Sequence, residues 1–172
     1  MSFLDLAWKR RSVRSFKEDD IPMEIINELL EAARSAPSAG NYQPWHFYII
    51  KDKALKEGLC TAAYQQNFML SAPVHIVVCA DLVKSAVRYG VRGTNLYAIQ
   101  DTAAAIQNLL LCATEKGLGT CWCGAFDEQK VSKLLNLKSE RPVAIIPIGY
   151  PRNLSAKMPR RSIEEISTFI GF

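Results

Sequence analysis

The segment LYAIQDTAAAIQNLLLCATEKG, residues 96–117, constrains the fold more than any other part of the chain. Its apolar residues run almost the whole way round a helix that stops at Gly117, with only Gln100, Asp101, Gln107 and Asn108 interrupting them. Such a helix has to be covered on several sides, by the core or by another subunit. The flanking sequence supplies elements to cover it. PMEIINELLEAARSAP sets Ile25, Ile26, Leu29, Leu30 and Ala33 at helical spacing between Pro22 and Pro37. HFYII, just after Pro44, and VHIVVCA read as strands, and VAIIPIGY reads as an interior one. GTCWCGAF predicts a strand and a turn, DEQKVSKLL a helix capped by Asp127, and SIEEISTFIGF a short amphipathic end. Strands separated by helices predict an α+β or α/β domain built on one sheet. With 172 residues, residues 1–172 form one domain that buries about 70% of its unfolded surface.

Composition narrows the partners. At 49% hydrophobic and 22% charged residues the chain lies in the ordinary globular range, with no apolar run of membrane-spanning length. The opening MSFLDLAWKRR has its apolar residues before the positive ones, the reverse of a secretory signal. Five scattered cysteines, an odd number, fit a reducing cytoplasm. A net charge of +4 is too small and too dispersed for a nucleic-acid groove. The expectation is a cytoplasmic protein with neither nucleic acid nor membrane as partner.

One place breaks the charge balance. WKRRSVRSF, residues 8–16, concentrates Lys9, Arg10, Arg11 and Arg14. If the chain leaves a first helix near Arg10 and becomes extended, Arg10, Ser12 and Arg14 fall on one side and Arg11 and Val13 on the other. Two guanidinium groups and a hydroxyl converging there suit a phosphate monoester, because the planar fork of arginine binds such oxygens bidentately. The alternative is a solvated helix end that complements the helix dipole. Arg160 and Arg161, with Lys157 nearby, either close on the same anion or form ordinary surface.

The usual catalytic signatures are absent: no G-x-S-x-G elbow, no P-loop and no G-x-G-x-x-G, since Trp122 stands where a third glycine would follow Gly117 and Gly119. The two histidines, His46 and His75, lie inside expected strands and receive no role. Cys121 and Cys123 are expected on opposite faces of an extended segment, unable to share an ion or close a bridge. Chemistry without an evident nucleophile, base or metal points to a bound organic cofactor.

Four blocks occur in order along the chain: RRSVRSF; ARSAPSAGNYQPWHF; QNLLLCATEKGLGTCWCGAF; and IPIGYP followed by PRRSIEEI. Together they resemble the nitroreductase family of FMN-dependent oxidoreductases over almost the whole length. The resemblance implies an α+β sheet flanked by helices, assembled as an intertwined homodimer with two FMN sites in the subunit interface. By position, Arg10, Ser12 and Arg14 correspond to residues that hold the FMN phosphate and ribityl chain, with Arg11 in support. Arg160 and Arg161 correspond to a late basic contact. Pro37, Ser38, Ala39 and Asn41 match a loop that reaches the neighbouring subunit's flavin, with Gln43 lining the same pocket. Gln65 and Asn67 fall at the pyrimidine side of the ring, where Phe68 replaces a basic residue of some members. Trp122, Cys123, Gly124 and Ala125 match the segment whose main-chain N–H approaches flavin N5, with Gly124 in place of an acidic residue of some relatives.

The implied reaction is ping-pong hydride transfer from NADH or NADPH to a small-molecule acceptor such as a nitroaromatic or quinone. No residue is assigned as a general acid. DLVKSAVRYGVRGTN reads as the mouth or lid of the pocket, with Arg88, Tyr89 and Arg92 as contacts or as surface. The alternatives are another flavin reaction on the same fold, such as dehydrogenation, deiodination or flavin breakdown, or a non-enzymatic module that binds anions or nucleic acid.

Overall fold

The computed structural model describes residues 1–171, so Phe172, the last residue of the expected amphipathic end, lies outside the described residues. The elements in chain order are α1 (Phe3–Lys9), α2 (Met23–Arg34), β1 (Trp45–Ile50), α3 (Lys53–Ala62), β2 (Val74–Asp81), α4 (Leu82–Arg92), α5 (Ala98–Glu115), β3 (Gly119–Thr120), α6 (Glu128–Leu134), β4 (Glu140–Gly149) and α7 (Ile163–Ile166). The strands form one antiparallel sheet in the order β1-β2-β4-β3. This is the expected α+β architecture.

Alternation along the central strands builds a core on each face of the sheet. Val74, Ile76 and Val78 of β2 and Ala144, Ile146 and Ile148 of β4 pack with Leu29 of α2 and Ile106 and Leu109 of α5. Val77 and Cys79 of β2 and Ile145 of β4 face the other way, onto Leu59 of α3 and Val131 of α6. Helix α5 is covered by the sheet and α2, which leaves Ala98, Ala105, Ile106 and Leu109 without solvent contact. Its apolar girth is therefore largely met within one chain. Helix α3 was not expected from the sequence. Asp52 caps it by accepting the Leu55 N–H at 2.8 Å, and only Leu59, Cys60 and Ala62 of its residues are buried.

The segment after α1 adds a further extended strand-like edge. Val13 N–H donates to Thr120 O at 2.8 Å, and Ser12 bridges Thr120 in parallel sense. This close approach needs Gly119, where a Cβ would stand 2.8 Å from Val13 side-chain atoms. The chain that carries the early arginines is thus laid beside β3, more than a hundred positions later.

His75 of β2 has no solvent exposure. Its Nε2–H donates to Met69 O at 2.9 Å, while Nδ1 has no partner. Burial, opposed by the Met69 bond and assisted by Lys56, lowers its pKa from 6.5 to about 4. A base held neutral in the fold contributes stability that is fully present above pH 6.5 and lost as pH falls through that window. The contribution is about 3 kcal/mol at 1.36 kcal/mol per pH unit. Denaturant titrations between pH 7 and 4 are expected to show His75→Gln losing less stability than the wild type by about this amount; equal losses would contradict it.

Candidate active site

The early and late arginines meet. A cavity of about 500 Å³ is walled by Ala7, Trp8, Arg10, Arg11, Ser12 and Arg14 from the start of the chain and by Ser155 to Arg160 from its end. Among the described residues no carboxylate lines it. Among the described residues neither Arg10, Arg14 nor Arg160 takes part in an ion pair. Burial and then the neighbouring charge of Arg160 lower the pKa of Arg10. Like charges are crowded here against their own repulsion, and an anion would relieve it. Arg160 lines this wall and Arg161 does not.

Local backbone explains the convergence. Helix α1 ends at Lys9, and Arg10 leaves it with φ −58° and ψ 129°. The extended course then buries Val13 and leaves Arg14 exposed, as alternation expects. Arg11 departs from that expectation. Its Nη1 donates to Ser155 O at 3.1 Å, so it pins the carboxyl-terminal strap and borders the same cavity. The long side chain reaches around the edge of the strand, which a two-residue period does not capture.

Arg14 also meets the Phe68 ring, and Ser12 bridges Thr120 of β3. The Arg14 guanidinium sits 5.7 Å from the centroid of the Phe68 ring. Cys121 N–H donates to Pro147 O, and Cys123 exchanges both main-chain bonds with Ile145, so this stretch runs as an extended strand. In such a strand side chains two residues apart share a face. The expectation that Cys121 and Cys123 diverge is therefore wrong. Both thiols are buried in one cluster on the same face. The Cys123 thiol, with Arg14 and Ser12 assisting against burial, lowers the Cys121 pKa to about 7. Cys123 is raised by the same contact and by burial.

Beyond Cys123 the chain turns outward. Gly124 and Ala125 are exposed, and neither N–H has an acceptor among the described residues. A Cβ on Gly124 would meet only Trp122 Nε1, at 4.0 Å, so space is open where some relatives carry an acid. The turn is braced by Gln66, whose Nε2 donates to Ala63 O and Ala125 O, each at 3.0 Å. Sequence reasoning missed Gln66 and selected its neighbours. Gln65 is exposed with φ 61°, and Asn67 Oδ1 accepts from Cys60 Sγ at 3.6 Å.

The loop Pro37–Gln43 does not line the arginine cavity. Ser38 Oγ accepts the Gln43 N–H at 2.9 Å, and Gln43 Nε2 donates to Asn41 O and Oδ1. Asn41 and Gln43 adopt φ values of 58° and 50°. Ala39 N–H is held by both carboxylate oxygens of Asp101 in α5, at 3.1 and 3.2 Å. Asp101 is buried, and desolvation raises its pKa against the opposing effect of the Ala39 bond. In the sequence it reads only as a polar break in an apolar helix. Tyr89 of α4 meets Tyr42 edge-on at 6.2 Å, so the expected lid rests on this loop. The histidines stay outside: His75 is buried in the core and His46 lies 3.4 Å from Glu140. Among the described residues no group of His, Cys, Asp or Glu is placed to hold a metal ion, and no helix is long and apolar enough to cross a membrane.

If Asp101 holds the loop, Asp101→Ala is expected to free the Ala39 amide, raising its hydrogen-exchange rate by the equivalent of about 1.5–3 kcal/mol. Unchanged protection at Ala39 would show that the loop is held by other contacts.

The chain is similar to known proteins over nearly its whole length. The chain is 32% identical over 188 residues to the NADH dehydrogenase of Thermus thermophilus, covering 93% of this chain and 92% of that one. It is 32% identical to the iodotyrosine deiodinase of Thermotoga neapolitana, covering 92% and 94%, and 30% identical to an NAD(P)H FMN reductase of Bacillus subtilis, covering 91% and 69%. The crystal structure of a nitroreductase family protein from Streptococcus pneumoniae superposes with a TM-score of 0.89 at 25% identity, covering 98% of this chain and all of the other. The nitroreductase family model matches residues 7–67 and 59–150. These matches span both the early arginines and the segment after β3, and the chain belongs to the nitroreductase family and is an oxidoreductase.

Proposed function

We propose that the chain is an FMN-dependent NAD(P)H oxidoreductase that reduces electron-poor small molecules, such as nitroaromatics or quinones, as a homodimer. The observation that carries this reading is the cavity walled by Arg10, Arg11, Ser12, Arg14, Lys157 and Arg160, with no carboxylate among the described residues that line it. Its donors suit a phosphate monoester, since guanidinium forks and a hydroxyl match its oxygens and its charge offsets their mutual repulsion. The FMN reductase among the relatives supports the choice of flavin. Bound there, FMN would supply hydride acceptance from a nicotinamide and hydride donation to an acceptor.

The chain's own groups bind and orient. Arg10, Arg14 and Arg160 hold the phosphate end, and Arg11 ties the strap that carries Arg160. The N–H groups of Gly124 and Ala125, without an acceptor among the described residues and on the turn that Gln66 braces through Ala125 O, offer donors to a ring nitrogen. Donors already in place stabilise developing negative charge without reorganisation. Because the Pro37–Gln43 loop lies off the arginine wall, the reading assigns it to the partner's site. The exposed apolar residues Phe3, Leu4, Leu154, Met158 and Ile163 support such a partner. A halogenated aromatic acceptor is a second reading, carried by the deiodinase relative.

Arg10→Ala and Arg14→Ala are each expected to weaken FMN by about 1.5–3 kcal/mol, the range for hydrogen bonds to charged groups. Titration of the flavin-free protein with FMN reads this directly, and wild-type affinity in both variants would defeat the phosphate assignment. Anaerobic addition of NADH, then NADPH, should bleach the flavin absorbance of the loaded protein, and a nitroaromatic or quinone should restore it.

A further inference from the structure

The turn after Cys123 is anchored at both ends. At its near end Cys123 O accepts the Ile145 N–H at 3.0 Å, and Cys123 N–H donates back to Ile145 O at 3.0 Å. In a planar trans peptide the N–H points opposite to the C=O. The Gly124 N–H shares its plane with Cys123 O, so it is turned away from β4. At the far end Phe126 is buried in the cluster of Leu59 and Val131, and Asp127 N–H donates to Ala62 O at 2.9 Å. Between these anchors Ala125 O accepts from Gln66 Nε2 at 3.0 Å, and the same amide nitrogen donates to Ala63 O at 3.0 Å. Both partners are carbonyls, so the Gln66 amide can meet them only with its nitrogen. The chain takes on strain to bring it there. Gln65 N–H closes the end of α3 onto Cys60 O at 3.0 Å, and Tyr64 and Gln65 adopt φ 55° and 61°. That left-handed region disfavours any residue with a side chain, and glycine usually fills the first such place after a helix.

We propose that Gln66 is a positioning residue that raises the reduction potential of the bound flavin by fixing the direction of the Ala125 N–H. The inference rests on the FMN reading above. Gln66 acts through the main chain. The Gly124 N–H is already directed by the bonds to Ile145, so what Gln66 adds is the second donor. Glycine at 124 leaves the backbone between the two amides free to rotate. Without the bond to Ala125 O, the Ala125 N–H would turn toward solvent and would have to be ordered again as the ring gains electrons. A donor held in place strengthens as negative charge develops, and so favours the reduced ring over the oxidised one. The strain at Tyr64 and Gln65 is then the structural cost of carrying the Gln66 amide to a carbonyl 59 positions away.

The test compares the full-length wild type with Gln66→Met, which keeps the length of the side chain and removes its donors, and with Gln66→Glu, whose carboxylate only accepts. Titration of the flavin-free proteins reads the affinity for oxidised FMN, and equilibration of the loaded proteins with a dye of known potential reads the midpoint potential. Oxidised FMN should bind all three alike, because the arginine wall is untouched. Reduced FMN should lose about tenfold in affinity relative to it in both variants, which lowers the two-electron midpoint potential by about 30 mV. A merely structural loosening would weaken both forms alike and leave the potential where it was. Wild-type potential in both variants would overturn the inference. The wild type alone supplies a second reading: amide exchange at Ala125 should slow when FMN is added, and an unchanged rate in the loaded protein would also overturn it. A wild type that takes up no FMN would defeat the flavin reading itself, and this inference with it.

Discussion

The hydrogen bond from Val13 N–H to Thr120 O does more than lengthen the sheet by one irregular strand. It fixes the chain that follows α1 against the chain that follows α5. Every candidate site residue on the arginine wall and on the turn after β3 is positioned relative to that contact. Gly119 permits it, because no side chain fits between β3 and Val13. Once the contact forms, alternation settles which groups face inward: Val13 enters the core, while Ser12 and Arg14 line the arginine cavity.

What this arrangement costs is electrostatic. Arg10 and Arg160 come from opposite ends of the chain and sit close enough for each other's charge to matter. A fold gains little from placing cations together, and surface pairs of opposite charge would have been easily supplied. The Arg141–Glu128 pair, with both bonds at 2.8–2.9 Å, shows such pairing elsewhere in the same molecule. Unpaired, converging guanidinium groups are better understood as preorganisation for an anion than as stabilisation. The FMN reading depends on that asymmetry.

Much of this was legible in the sequence because it follows short periods. The 3.6-residue spacing of Ile26, Leu29 and Ala33 marked α2, and the two-residue period placed Arg10, Ser12 and Arg14 together. Helix α3 escaped notice because it buries only three residues, all in its last turn. Asp101 and Gln66 escaped for another reason. Their partners, Ala39 and Ala125, lie 62 and 59 positions away, and no local pattern announces such contacts. The choice between Arg160 and Arg161 likewise depends on the course of an extended strap, which Arg11 fixes through Ser155. The cysteine pair was misplaced by a wrong assignment of faces, although the extended segment itself was foreseen.

The central claim is that arginines from both ends of the polypeptide grip one phosphate. A crystal structure of the protein grown with FMN tests it most directly. The account predicts the phosphate between Arg10, Arg14 and Arg160, with the ring edge at the Gly124–Ala125 turn. A flavin bound elsewhere, or early and late arginines turned away from each other around an empty cleft, would contradict it.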